Sequence, residues 1–497
     1  MWHSQALACK KLSKFQPIQF YNNESGTYEL LPFNFDKVSD DRYVITNLVG
    51  EYLTIDSKSL QDIVNHELSP TNNLYSKLRS KQFIREPDEA YPIELLALKL
   101  RTRFARLANF TNLHIFVVTL RCDHSCPYCQ VSRQSEDKAS FDMTTEMADK
   151  SLAMVFRSPS PAIKIEFQGG EPLLNFEMIK YVVTTAKKLN AVHQRNLAFV
   201  IATTLSLITE EILVFCKEHN IVISTSLDGP EDLHNANRPR PNKDSYQRFI
   251  DGLQKTRAIL GYNQVSALMT TTDKSLPRVK DIIDEYLKLG FKGIFLRPLS
   301  PYGFAIKTRK FMSYNTERWL EFYKEGLDYI IQLNKNGIEF SEYYSALVLK
   351  KMMTSSDPGY VDLMNPAGIG IAAIVFNYDG NVYASDESRM LAEMGDSTFL
   401  LGNVLTNTYE EIILSDKLLD ALDESFTLSA PMCSECAFEI YCGAEPVYHH
   451  AIHKDFLARK PESEFCKRNM TTFKHLINIM EDDSERKSLF IDWANKC

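Results

Sequence analysis

Seven of the ten cysteines in this 497-residue chain fall into two groups, and grouped cysteines in a reducing compartment read as metal ligands. Cys122, Cys126 and Cys129 stand in Arg121-Cys122-Asp123-His124-Ser125-Cys126-Pro127-Tyr128-Cys129, a C-x3-C-x2-C spacing. Three thiolates bind three irons of a [4Fe–4S] cube and leave the fourth iron open to an outside ligand. Zinc is the alternative, with His124 or water as its fourth ligand. In the second group Cys433, Cys436 and Cys442 follow C-x2-C-x5-C, and Cys466 comes twenty-four residues later. Four thiolates close the ligand set of an ordinary cube with no open iron, and they suit structural zinc equally well. Of the single cysteines, Cys216 reads as helix core, while Cys9 and Cys497 near the termini need no role.

Two other stretches offer groups to a ligand. Phe167-Gln168-Gly169-Gly170-Glu171-Pro172 combines glycines that admit close backbone approach with a carboxylate that accepts from an ammonium group. Ser224-Thr225-Ser226-Leu227-Asp228-Gly229-Pro230 is followed by His234 and Arg238. Ser226 offers a hydroxyl and Arg238 a carboxylate clamp. Read singly, either stretch is equally a polar turn. His449, His450 and His453 follow Cys442 and serve as metal or acid–base groups, or simply as helix-surface and cluster-supporting residues.

The elements that must position these residues are legible from periodicity. From about residue 112, apolar strands at 113–120, 162–167, 197–203, 221–227, 265–270 and 293–296 alternate with amphipathic helices such as 209–218 and 276–289. Six βα units imply a parallel sheet, fewer than a closed eight-stranded barrel uses, so a partial (β/α)6 barrel is expected over residues 106–335. The first cysteine group then lies just after the first strand, at the strand ends where such sheets carry their sites. Residues 1–105 read as a small α+β unit. It has strands at 43–46 and 51–55 around Gly50, then Leu60, Ile63, Val64 and Leu68 on one helical face and Leu74 and Leu78 on the next helix. The charged stretch 85–89 reads as a linker. In 336–497 a hairpin at 371–384 turns at Asp379-Gly380-Asn381, ahead of the second cysteine group and a helical tail.

Composition narrows the function. The net charge of −8, from 56 basic and 64 acidic residues, argues against a nucleic-acid-wide basic surface. No apolar run approaches the roughly 20 residues that span a bilayer, and the N-terminus lacks a signal-peptide layout, so no membrane role and a cytoplasmic location are expected.

Together, the cysteine loop, the Gly169-Gly170-Glu171-Pro172 loop and the fourth-strand loop resemble the radical S-adenosylmethionine (SAM) superfamily. The resemblance implies a [4Fe–4S] cluster on Cys122, Cys126 and Cys129, with its open iron bound by the amino and carboxylate groups of SAM. It implies that Gly169, Gly170 and Glu171 lie along the methionine of SAM. Gln168, Ser226 and Arg238 match contacts to its ribose or carboxylate, and Tyr128 matches the aromatic residue near the adenine. Where related enzymes carry Thr-Asn-Gly, the third strand here ends in Thr203-Thr204-Leu205, which puts any contact carried over to that strand in doubt. The second cysteine group resembles the SPASM extension, a C-terminal domain that often holds two auxiliary clusters. Ser385 and Pro446 stand where further cysteines would be, and Asn365-Pro366-Ala367-Gly368 has none, so one auxiliary [4Fe–4S] cluster is expected.

Stretches 68–78, 377–402 and 433–450 are similar to the His-Xaa-Ser system radical SAM maturases, and the N-terminal unit to winged-helix-like leader-peptide recognition elements. The implied activity is peptide maturation. A one-electron donor such as flavodoxin or ferredoxin reduces the first cluster, and a 5′-deoxyadenosyl radical abstracts hydrogen from a ribosomally made precursor peptide. The auxiliary cluster takes the remaining electron as a crosslink or other oxidative modification forms. The rival readings are an anaerobic sulfatase-type formylglycine-generating maturase and a non-enzymatic iron–sulfur or zinc scaffold. No residue is marked as a catalytic acid or base.

Overall fold

In this computed structural model residues 27–131, 133–135, 137–307 and 314–496 are described; Cys9 and Cys497 lie outside them. The chain divides into two compact units, Met1–Leu98 and Lys99–Cys497. This division falls seven residues before the expected 105/106, and no division falls near 335/336.

In the first unit, β1 (Glu29–Leu30) precedes an antiparallel sheet of β2 (Phe33–Ser39), β3 (Arg42–Asn47) and β4 (Tyr52–Ile55) in the order β2-β3-β4. Helix Ser57–Val64 starts where the Asp56 side chain accepts the Ser59 N–H, and helix Asn73–Ser80 where Asn72 accepts from Leu74. Leu60, Ile63 and Leu78 bury against Ile45, Tyr28 and Phe83. Val64 does not share that face. The helix ends there, Val64 is exposed, and Leu68 reaches the core from the following loop. Nor is 85–89 a linker: β5 (Ile84–Arg85) pairs with β1, and Arg85 and Arg79 form ion pairs with Glu29, Glu86 and Glu89.

The second unit is built on β6 (Leu113–Thr119), β7 (Ala162–Gly169), β8 (Asn196–Thr203), β9 (Ile221–Ser226) and β10 (Val265–Leu268), all parallel. In β6 everything after Leu113 is buried, as a strand covered on both faces requires. Thr144 and Thr209 cap the helices Thr145–Val155 and Glu210–Glu218 that cross over between strands. Cys216 is buried in the second of these. β10 stops short of residue 270 because the Asp228 carboxylate, rather than a neighbouring strand, takes the Thr270 N–H at 3.2 Å. The sixth expected strand is reduced to β11 (Gly293–Ile294), which pairs with β12 (Ser341–Glu342) in a separate ladder. Its continuation still meets the barrel through Thr271, whose N–H and hydroxyl both donate to the Arg297 carbonyl at 3.1 and 2.7 Å.

The expected hairpin is present as β13 (Ala373–Phe376) and β14 (Asn381–Tyr383), and the Asp379 carboxylate fixes its turn by accepting the Asn381 N–H at 3.0 Å. The sequence did not reveal where it docks. β13 lies parallel to β6, and β14 and then β15 (Leu400–Asn403) extend the sheet, giving the order β10-β9-β8-β7-β6-β13-β14-β15. Residues beyond 335 thus complete the barrel's sheet, which is why no division falls there. No helix among the described residues is long and apolar enough to cross a membrane.

Candidate functional site

The loop after β6 is held from several sides. The Ser125 N–H donates to the Pro239 carbonyl at 2.9 Å, the Phe304 N–H to the Cys129 carbonyl at 2.7 Å, and the Cys129 N–H to the Cys126 carbonyl at 3.2 Å. Asp123 accepts from the Ser206 hydroxyl at 2.6 Å and pairs with Arg240. The two ring nitrogens of His124 are occupied by Asp123 (2.7 Å) and Ser245 (2.9 Å), and burial lowers its pKa to about 4. His124 is therefore a strut of the loop and not a fourth ligand for Cys122, Cys126 and Cys129.

The loop after β7 lies directly on this one. Gly170 and Glu171 donate their N–H groups to the carbonyls of Thr119 and Arg121 at 2.9 and 2.8 Å. A Cβ on Gly169 or Gly170 would strike those same two carbonyls, so the approach requires glycine. Glu171 is fully buried and saturated. One oxygen accepts from the Leu173 N–H (3.1 Å) and Thr203 hydroxyl (2.6 Å), the other from the Thr204 N–H (2.9 Å) and hydroxyl (2.8 Å). The departure at Thr203-Thr204 is thus the clasp that fixes the carboxylate.

The loop after β9 centres on Asp228, to which the sequence assigned no role. Its buried carboxylate accepts the Tyr128 hydroxyl at 2.5 Å and is forked by Arg238 at 3.0 and 3.2 Å. Burial alone would disfavour the Arg238 charge; the Asp228 carboxylate, together with Tyr128 and Cys126, more than offsets it. Burial, with Asp228 alongside, pushes the Tyr128 phenol well up, so that hydroxyl stays a donor. Gln168 donates to Glu166 at 2.8 Å, and burial raises the Glu166 pKa.

All ten residues expected here line one cavity of about 230 Å³: Cys122, Cys126, Tyr128, Cys129, Gln168, Gly169, Gly170, Glu171, Ser226 and Arg238. Glu166, Arg297, Asp386 and Met390 also line it and were missed. The last three come from beyond the five central strands, so no strand-end pattern marks them.

Cys433, Cys436, Cys442 and Cys466 line a second cavity, of about 130 Å³. The Phe438 N–H faces Cys436 Sγ and the Asn469 amide faces Cys442 Sγ, both at 3.4 Å; the Tyr344 hydroxyl holds Asn469 from behind at 2.8 Å. Cys466 sits in the first turn of helix Glu464–Asp482, where Ser463 caps its N–H at 3.1 Å. His449 touches Ser463 at 2.8 Å, His450 is held by Asp396 at 3.0 Å, and none of the three histidines lines this cavity. Ser385 caps helix Asp386–Ala392 and Pro446 opens helix Pro446–His453, so neither position is available as a ligand.

Both thiol sets fit iron–sulfur clusters. Burial pushes the Cys126 and Cys436 thiols up to about 12 and Cys466 to about 11, so these groups need a cation beside them to ionise. Tetrahedral zinc with bonds of about 2.3 Å needs sulfurs about 3.8 Å apart. Among the described residues, Cys122, Asp123 and His124 bring three possible ligand atoms within 4.8 Å of one another.

The radical SAM superfamily profile matches residues 116–273. An uncharacterised protein of Methanocaldococcus jannaschii is 30% identical over 190 residues, which is 38% of this chain and 62% of that protein's length. The cysteine-type anaerobic sulfatase-maturating enzyme of Clostridium perfringens strain 13 is 23% identical over 65% of this chain and 84% of its own. The solved structure of native anSMEcpe with bound AdoMet and Cp18Cys peptide shares the fold, with TM-score 0.60 at 18% identity, covering 78% of this chain and 99% of that one. The β/α fold, the profile and these relatives together identify the chain as an enzyme of the radical SAM superfamily, whose cofactors are a [4Fe–4S] cluster and SAM.

Proposed function

We propose that this enzyme is a maturase that oxidatively modifies a side chain of a ribosomally made peptide, with Cys122, Cys126 and Cys129 holding the SAM-binding cluster and Cys433, Cys436, Cys442 and Cys466 one auxiliary [4Fe–4S] cluster. The observation that carries this reading is a small chamber of about 40 Å³ that shares Arg297 with the first cysteine cavity and Phe465 with the second. A substrate in that chamber lies between a radical source and an electron acceptor.

Bound together, the cluster and SAM supply reductive cleavage to methionine and a 5′-deoxyadenosyl radical that abstracts hydrogen. The protein's own part is positioning. Gly169 and Gly170 leave room for the methionine of SAM against backbone, and Glu171, fixed by Thr203 and Thr204, sets the charge beside it. Tyr128, locked to Asp228, walls the cavity. Residues 1–98 offer β2 and β4 as sheet edges, to which a leader peptide can add a strand. A one-electron donor such as flavodoxin or ferredoxin and a cytoplasmic location belong to the same reading.

A second reading, formation of formylglycine on a protein, is favoured by the long alignment to the sulfatase-maturating relative. The resemblance to His-Xaa-Ser maturases favours a crosslink. Incubating reduced enzyme and SAM with the peptides encoded by short reading frames beside the gene separates them. A crosslinked product loses two hydrogens and resists hydrazide labelling, whereas formylglycine is an aldehyde that hydrazide captures. No change in any peptide, with hydrazide capture on a sulfatase fragment instead, would replace the first reading by the second.

A further inference from the structure

The chamber between the two cysteine cavities carries three carboxylates, Asp362, Glu387 and Glu445, among aromatic rings. Tyr302 and Trp319 line it as well. Each is 1% exposed, and among the described residues neither the Tyr302 hydroxyl nor the Trp319 Nε1–H has a hydrogen-bond partner. Buried polar groups are nearly always paired, so two unpaired ones on the wall of one chamber point to a ligand that pairs them. A merely polar core would have satisfied them internally.

The charges identify the ligand's chemistry. Among the described residues neither Asp362 nor Glu445 makes an ion pair. Asp362 accepts the Tyr360 hydroxyl at 3.1 Å, and Glu445 accepts the Tyr448 N–H at 2.8 Å. Glu445 holds this place in left-handed backbone, φ 47°, which disfavours a residue with a Cβ. Of the two cations on the wall, Arg297 stands 3.8 Å from Glu387, while Arg468 lies over the rings of Trp319, Tyr448 and Phe465. Burial and the neighbouring carboxylates push Glu387 to about 7 and Glu445 well above the usual carboxylate range. A further cation beside them would lift that penalty.

We propose that this chamber seats a substrate side chain bearing a protonated nitrogen (lysine, arginine or histidine). Asp362, Glu387 and Glu445 surround the cation, the aromatic faces lie along its stem, and Tyr302 and Trp319 donate to carbonyls beside it. That the side chain belongs to a peptide rests on the maturase reading above; the preference for a cation does not.

Reconstituted holoenzyme is titrated anaerobically by calorimetry with blocked Gly-Xaa-Gly peptides, Xaa being lysine, arginine, histidine or norleucine, and with butylammonium against 1-pentanol. At least one cationic peptide is expected to bind about tenfold or more tighter than the norleucine peptide. Asp362→Asn and Glu387→Gln are each expected to cut that preference to below about threefold, with iron content and circular dichroism verifying the fold. Preference for butylammonium over pentanol without any among the peptides supports the chamber and removes the peptide reading. Equal binding of charged and neutral probes by wild-type enzyme overturns the proposal whether or not the variants fold, as does a preference that survives both substitutions.

Discussion

Thr204 is joined to Glu171 twice, its backbone N–H at 2.9 Å and its hydroxyl at 2.8 Å both donating to the same carboxylate oxygen. The pair ties the end of β8 to the glycine loop after β7, so the loop's shape depends on a residue of the next strand. Thr204→Val keeps the shape and the N–H but removes the hydroxyl. A lost hydrogen bond to a buried charge costs about 1.5–3 kcal/mol. The variant is expected to unfold at lower denaturant and to bind SAM more weakly in equilibrium dialysis; wild-type values in both would show that the clasp carries nothing.

Asp228 is the counter-charge for Arg238 and the acceptor for Tyr128, and is fully buried. Asp228→Asn leaves the guanidinium without its carboxylate and is expected to destabilise by about 3–5 kcal/mol. Adding Arg238→Gln to it should recover part of the loss, because the stranded charge goes too. Additive losses in this double-mutant cycle would contradict the pairing.

How much of this was legible in the sequence depended on whether the signal was local. The cysteine spacings, the two glycines and the strand ends all lie in short windows, and those residues do line the two expected cavities. The Asp379-Gly380-Asn381 turn was equally local. What escaped was non-local. β13 joins β6 across more than 250 residues of chain, a pairing that no periodicity encodes. Asp228 looked like part of a polar turn because its partners, Tyr128 and Arg238, come from elsewhere. Leu205 is a third case. It is buried in left-handed backbone, φ 63°, and the sequence alone registered only a mismatch with the Thr-Asn-Gly of the resembled family.

Folding stability should fall in mild acid for a traceable reason. His114 is buried on β6, with Nε2 against the Thr111 carbonyl at 3.1 Å and Nδ1 unpaired among the described residues, and burial lowers its pKa from 6.5 to about 4. Between those values the unfolded chain binds a proton that the folded chain refuses. The contribution is full above 6.5 and is lost as pH falls toward 4, at up to about 1.4 kcal/mol per pH unit. His114→Gln should flatten that slope in denaturation series at pH 7, 6 and 5; an unchanged slope would exclude His114 as its source.

The cluster count is open to direct analysis. Two [4Fe–4S] clusters give about eight irons per chain, whereas zinc in the second site would give about four irons and one zinc. Replacing Cys433, Cys436 and Cys442 together by alanine should halve the iron. Part of the SAM cleavage should persist, and peptide product should be lost with the electron acceptor. About twelve irons in the wild type would mean a third cluster on other ligands.

Deleting residues 1–98 should weaken precursor binding while leaving slow, peptide-independent SAM cleavage in place, since the cysteine cavities belong wholly to the second unit. Equal precursor affinity for the truncated and full chains would remove the recognition role from the first unit.

The central claim is that Cys126, with Cys122 and Cys129, holds the cluster that cleaves SAM. Its most direct test is 5′-deoxyadenosine formation by anaerobically reconstituted, dithionite-reduced protein, wild type against Cys126→Ala. The account predicts deoxyadenosine from the wild type and none from the folded variant; formation at the wild-type rate by Cys126→Ala would contradict it.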